Sequence, residues 1–142
     1  MRAAIVDTGP LVAFLNRRDR HHAWAAEQFG SLSPPLLTCE AVLSEATYLV
    51  RGMTGGPEAV LELVARGVVQ PTFRLQDEIS TLKTLVRRYA RDLADACLVR
   101  MSELHSDCVV LTIDTEFRDV YRRHGRQVIP TLLPPDVKRR RR

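Results

Sequence analysis

Four carboxylates in this chain stand where carboxylates are costly. Asp7 closes the apolar run Ala3 to Val6, and Asp114 closes the run Cys108 to Ile113. Glu45 lies between Leu43, Ala46 and Leu49 in a stretch whose apolar residues recur at helical spacing, and Asp95 is flanked by Ala94 and Ala96. An ionised carboxylate beside a surface that must be buried is unfavourable unless it is paired or ligated. Several such acids meeting without lysines among them repel one another, and a divalent cation is the simplest remedy. All-oxygen sites suit Mg²⁺ or Mn²⁺, and water bound to such a metal is activated for hydrolysis. Each acid also has a plainer role. Asp7 and Asp114 have the position of turn formers or helix caps, and Asp92 and Asp95, three apart, have that of an N-cap and a first-turn acid.

The elements that must carry these acids follow from hydrophobic periodicity. Short apolar runs at 3–6, 36–37, 68–73, 108–113 and 127–129 predict strands, the third weakened by Pro71. Between them, helical spacing predicts helices over 11–16, 20–29, 39–51, 57–65, 76–89, 92–105 and 116–123, with Asp7-Thr8-Gly9-Pro10 as a turn. Helices separating short, wholly apolar strands imply an α/β fold with a central parallel sheet of four or five strands flanked by helices. Ligands of such sheets gather beyond the carboxyl ends of the strands, where Asp7 and Asp114 both fall.

The 142 residues, 45% hydrophobic, suit one core, expected over residues 1–134, with a basic tail at 135–142. No apolar run is long enough to span a bilayer and the first residues lack the order of a secretory signal, so a cytoplasmic protein is expected. Cys39, Cys97 and Cys108 form no CxxC and are expected as buried thiols. The net charge of +4 is gathered in basic runs at 17–22, 87–91, 118–126 and 138–142. Such runs are commonly solvated faces, yet beside a nuclease site they hold phosphates without reading sequence. No HExxH and no GxxxxGK occurs, Ser44 lacks a nucleophile elbow, and the Asp7-Thr8 pair lacks the second aspartate of a haloacid-dehalogenase-type phosphotransferase. Trp24 and Tyr48 are single aromatics of the kind that usually pack.

The acids in the order Asp, Glu, Asp, Asp sit in the segments IVDTGPLVAFLNRRDRHH, LLTCEAVLSEATYLV, RDLADACLVRMSEL and VLTIDTEFRDVYR. These segments resemble the PIN-domain nucleases, and most closely the VapC toxins of bacterial and archaeal toxin–antitoxin pairs. The resemblance implies a PIN-like three-layer fold and a Mg²⁺- or Mn²⁺-dependent endoribonuclease. It maps the acidic quartet onto Asp7, Glu45, Asp95 and Asp114, with Asp92 as an additional acid and Thr8 and Thr112 as the hydroxyls that steady the first and last. Asp7, Asp95 and Asp114 are then metal ligands, directly or through water, and Glu45 binds metal or orients the water. Glu40 competes for the second place, but the VLSEA context favours Glu45. The resemblance further implies an RNA substrate, a homodimer, and a VapB-like antitoxin whose C-terminal segment crosses the helices near the crevice. A housekeeping PIN nuclease of RNA maturation and a non-catalytic RNA- or protein-binding module stay open as alternatives.

Overall fold

The computed structural model describes residues 2–89 and 92–137. The core strand β1 (Ala3–Val6) leads into helices α1 (Thr8–Leu15) and α2 (His22–Ser31), then strand β2 (Leu36–Thr38) and helices α3 (Glu40–Leu49) and α4 (Gly56–Ala65). Strand β3 (Val69–Pro71) follows, then a 3₁₀ turn (Leu75–Glu78) continuing into α5 (Ile79–Tyr89), then α6 (Leu93–Leu104) and β4 (Cys108–Leu111). The chain closes with α7 (Glu116–Asp119), β5 (Arg122–Arg123), β6 (Gln127–Val128) and β7 (Thr131–Leu132).

Five strands form one parallel sheet in the order β3-β2-β1-β4-β7, flanked by helices. All four residues of β4 and the last three of β1 are buried, as expected of strands covered on both faces. The chain lays β2 and β3 on one side of β1 and β4 and β7 on the other, so the connections diverge between β1 and β4. That divergence opens a crevice at the carboxyl ends of these two strands. Pro71 is accommodated because β3 is an edge strand with one neighbour.

Three local expectations differ from the structure. Asp7-Thr8-Gly9-Pro10 is not a turn: α1 begins at Thr8, and Pro10 lies in its first turn, where a missing N–H costs nothing. The helix expected over 116–123 stops at Asp119, and Arg122–Arg123 pairs instead with Gln127–Val128 in an antiparallel hairpin. His124 (φ 51°) and Gly125 (φ 77°) make its tip, the two successive positive φ angles of a type I′ turn. The last strand of the main sheet is therefore Thr131–Leu132, joined to β4 by Val110 N–H to Pro130 C=O at 2.8 Å and Thr112 N–H to Leu132 C=O at 3.1 Å. The three cysteines are buried and unbridged. Cys39 and Cys97, far apart in sequence, nevertheless line one groove, and the effect of each on the other lowers the Cys39 thiol and raises that of Cys97.

Candidate active site

Asp7 is both the end of β1 and the N-cap of α1. Its Oδ1 accepts the Thr8 N–H at 2.7 Å, satisfying a helix-end donor, and its Oδ2 accepts the Thr112 hydroxyl at 2.8 Å. The same Thr112 oxygen accepts the Asp114 N–H at 2.9 Å, so one buried hydroxyl ties the end of β1 to the turn after β4. Asp114 Oδ1 in turn accepts the N–H of Glu116 at 2.9 Å. Asp92 caps α6, its Oδ1 accepting the Asp95 N–H at 2.9 Å, and Asp95 Oδ2 accepts the Tyr121 hydroxyl at 2.5 Å.

These acids line one crevice of about 390 Å³ together with Glu45, Glu116, Thr8, Gly9, Leu49 and Ile113. Every residue of the expected quartet is therefore on its wall, with Asp92 and Thr8 beside them. Thr112 lies behind, in contact through its hydroxyl. Gly9 is required by close approach: a Cβ there would stand 2.7 Å from Ile113 Cδ1 and nearer still to Cγ1. Glu40 opens onto a different groove, of about 510 Å³, with Cys39, Phe73, Arg74 and Cys97.

The acids act on one another electrically. Burial pushes the Asp7 carboxyl up to about 6, against the lowering effect of the Thr112 and Thr8 hydrogen bonds, and the charges of Asp114 and Glu45 add to the rise. Burial likewise pushes Asp95 up to about 7, opposed by the Tyr121 hydrogen bond and reinforced by Asp7, Asp92 and Asp114. Burial and the neighbouring Asp95 raise the Tyr121 phenol, which therefore stays protonated and able to donate. Among the described residues no three His, Cys, Asp or Glu side chains converge as a preassembled cation site. The donor set is nevertheless that of a hard divalent cation: carboxylate oxygens, with Asp7 and Asp95 raised by burial and by their acidic neighbours, on one lining with Thr8, whose buried hydroxyl has no hydrogen-bond partner among the described residues.

Two residues on or behind this wall escaped the sequence reading. Glu116 follows Asp114 by two positions and read as an ordinary helix-opening acid. Tyr121 read as part of a helix, and nothing in its neighbours signals a partner 26 residues away. For Glu116 the TIDTEF spacing was the available signal.

The profile of the PIN domain family matches residues 4–123. The chain belongs to the PIN-domain family. The same fold appears in VapC20 of Mycobacterium tuberculosis, a sarcin-ricin loop cleaving toxin, with a TM-score of 0.65 and 23% identity over 76% of this chain and 87% of that one. At that identity the likeness speaks for the fold. No curated protein matches the sequence closely. In this PIN domain no helix among the described residues is long and apolar enough to cross a membrane. Residues 138–142, most of the expected basic tail, lie outside the described residues and beyond the stretch that the family profile matches.

Proposed function

We propose that this PIN domain is a Mg²⁺- or Mn²⁺-dependent endoribonuclease and the toxin of a type II toxin–antitoxin pair. The observation that carries the reading is the crevice at the divergence of β1 and β4, where Asp7, Glu45, Asp92, Asp95, Asp114 and Glu116 face a common space. Crowded carboxylates favour a bound cation, and burial already holds Asp7 and Asp95 partly protonated near neutral pH. Membership of a nuclease family and the shared fold of a toxin that cleaves the sarcin-ricin loop support it.

Asp7, Asp95 and Asp114 would hold the metal, with Glu45 and Asp92 at its margin. A bound divalent cation supplies charge neutralisation for the phosphate and a lowered pKa for water. The chain's own residues do the rest. Thr112, donating to Asp7 and accepting from Asp114, holds the two strand-end acids in one orientation. Asp92 is occupied in capping α6 through Oδ1, which leaves its other oxygen for ligand or water. Glu45, exposed on α3, is free to orient the attacking water and to take up its proton.

Incubating end-labelled RNA, a sarcin-ricin-type loop first, with protein and Mn²⁺ and then quenching with EDTA tests the reading. Wild type is expected to cut, and Asp95→Asn to lose at least about 100-fold, beyond what removal of a supporting partner usually costs. An Asp95→Asn protein that cuts like wild type overturns the site, and RNA bound but never cut favours the binding module. Growth arrest on expression, relieved by a VapB-like partner, separates the toxin from a housekeeping nuclease. The homodimer is read out by mass in solution.

A further inference from the structure

One oxygen of Asp95 is taken by a hydrogen bond from a buried phenol. Oδ2 accepts the phenol of Tyr121 at 2.5 Å, while Asp95 itself lines the acidic crevice. Tyr121 is 1% exposed. Its ring is held edge-on by Tyr89 of α5 at 5.0 Å and by Phe117 of α7 at 4.8 Å. It also stands at the root of the β5–β6 hairpin, whose first N–H, that of Arg122, donates to the Tyr89 hydroxyl at 3.1 Å. Two helices and a hairpin thus converge behind one carboxylate and leave the Tyr121 hydroxyl little freedom. A buried phenol needs an acceptor, but any backbone carbonyl would satisfy that need. Tyr89 is the comparison within the same cluster: its hydroxyl meets a backbone N–H and no carboxylate among the hydrogen bonds of the described residues.

We propose that Tyr121 is a positioning residue, occupying Oδ2 of Asp95 so that Oδ1 is turned into the crevice, and thereby setting metal affinity and turnover at the proposed nuclease site. The assignment rests on the reading of that site as a metal nuclease. Partners one layer behind a metal ligand fix its orientation, and their loss commonly weakens metal binding or activity by about 10- to 100-fold. The oxygen removed by Tyr121→Phe is one atom, and both ring contacts remain for the fold.

The test compares wild type, Tyr121→Phe and Tyr89→Phe by titration of Mn²⁺ against the paramagnetic resonance of the free ion, and by steady-state cleavage of labelled RNA. Tyr121→Phe is expected to bind Mn²⁺ at least about 10-fold more weakly and to lose kcat, with KM for RNA and Tm close to wild type. Tyr89→Phe is expected to keep both Mn²⁺ affinity and kcat. Wild-type Mn²⁺ affinity in Tyr121→Phe, or equal weakening in the two variants, overturns the proposal, because a role in packing alone predicts one or the other. A wild type that binds Mn²⁺ yet cuts no RNA overturns the nuclease reading alone, since Mn²⁺ affinity still reports on Tyr121. A wild type that binds no Mn²⁺ overturns both.

Discussion

Asp7 is 8% exposed and carries two hydrogen bonds that favour its ionised form, yet burial still raises it to about 6. Asp95 reaches about 7 for the same leading cause. Both bind protons more tightly in the folded chain than in the unfolded one, where Asp titrates near about 3.9. Their contribution to stability is therefore complete below about pH 4 and is lost as pH rises through the folded values of about 6 and 7. Metal-free protein is expected to lose stability from this pair across that window, and Mn²⁺ to restore it above pH 6, measured as Tm with EDTA and with metal. Asp7→Asn removes the buried charge. In EDTA at pH 8 it is expected to exceed wild type by up to about 2 kcal/mol, a gain absent at pH 4. With Mn²⁺ the order reverses, because the variant loses a ligand, and cleavage falls with it. A variant less stable than wild type at pH 8 without metal contradicts this account.

The elements converge on the site through two tight joints. At the first, α1 packs so closely on the chain after β4 that Gly9 has no room for a side chain against Ile113. Gly9→Ala is expected to cost about 1–3 kcal/mol by overpacking and to weaken Mn²⁺ binding, since it pushes Asp7 and Asp114 apart. Urea unfolding with a parallel Mn²⁺ titration checks both. At the second joint Arg100 of α6 donates to Glu78 at 2.8 Å and to Glu103 at 3.1 Å, holding the start of α5 against α6. The three side chains are 23%, 18% and 5% exposed, so the charges are largely withdrawn from water. Removing the guanidinium leaves two carboxylates facing each other, and Arg100→Ala is expected to lower stability by about 2–3 kcal/mol in the same unfolding assay, short of the full penalty for a buried pair. Arg100→Met tests whether packing of the stem alone recovers part of it.

For the molecule as a whole, the net charge of +4 hides a separation of sign. The crevice lining is acidic, and the described arginines of the basic runs are in unequal states. Arg118 pairs with Asp119, Arg122 donates to the carbonyls of Arg118, Asp119 and Tyr121, and Arg123 donates to those of His105 and Ser106. Arg87, Arg88 and Arg126 are exposed, without an acidic partner among the described residues, and Arg88 reaches the hairpin tip at Gly125. RNA binding by the inactive Asp95→Asn protein is expected to weaken with salt. The triple variant Arg87→Ala/Arg88→Ala/Arg126→Ala is expected to flatten the slope of log K against log salt by about 2, three contacts at about 0.7 each for single-stranded RNA. Fluorescence anisotropy between low and moderate KCl reads the slope, and an unchanged slope places the phosphates elsewhere.

The alternation of apolar runs and helical spacing made the α/β class legible, because each period is a property of a few consecutive residues. The acids were legible too, as charges set where burial was already implied, and the family segments tied them together. Folding added what depends on residues distant in sequence. The pairing of β1 with β4 brought Asp7 and Asp114 to one hydroxyl, that of Thr112. The direction of the α3 side chains sent Glu45 to the crevice and Glu40 to another groove. Local period favoured a helix through Tyr121, but packing on α5 and α6 broke it into a hairpin and delivered a phenol to Asp95. Parallel strand order and the aim of a side chain are settled by long-range contacts, which no window of the chain contains.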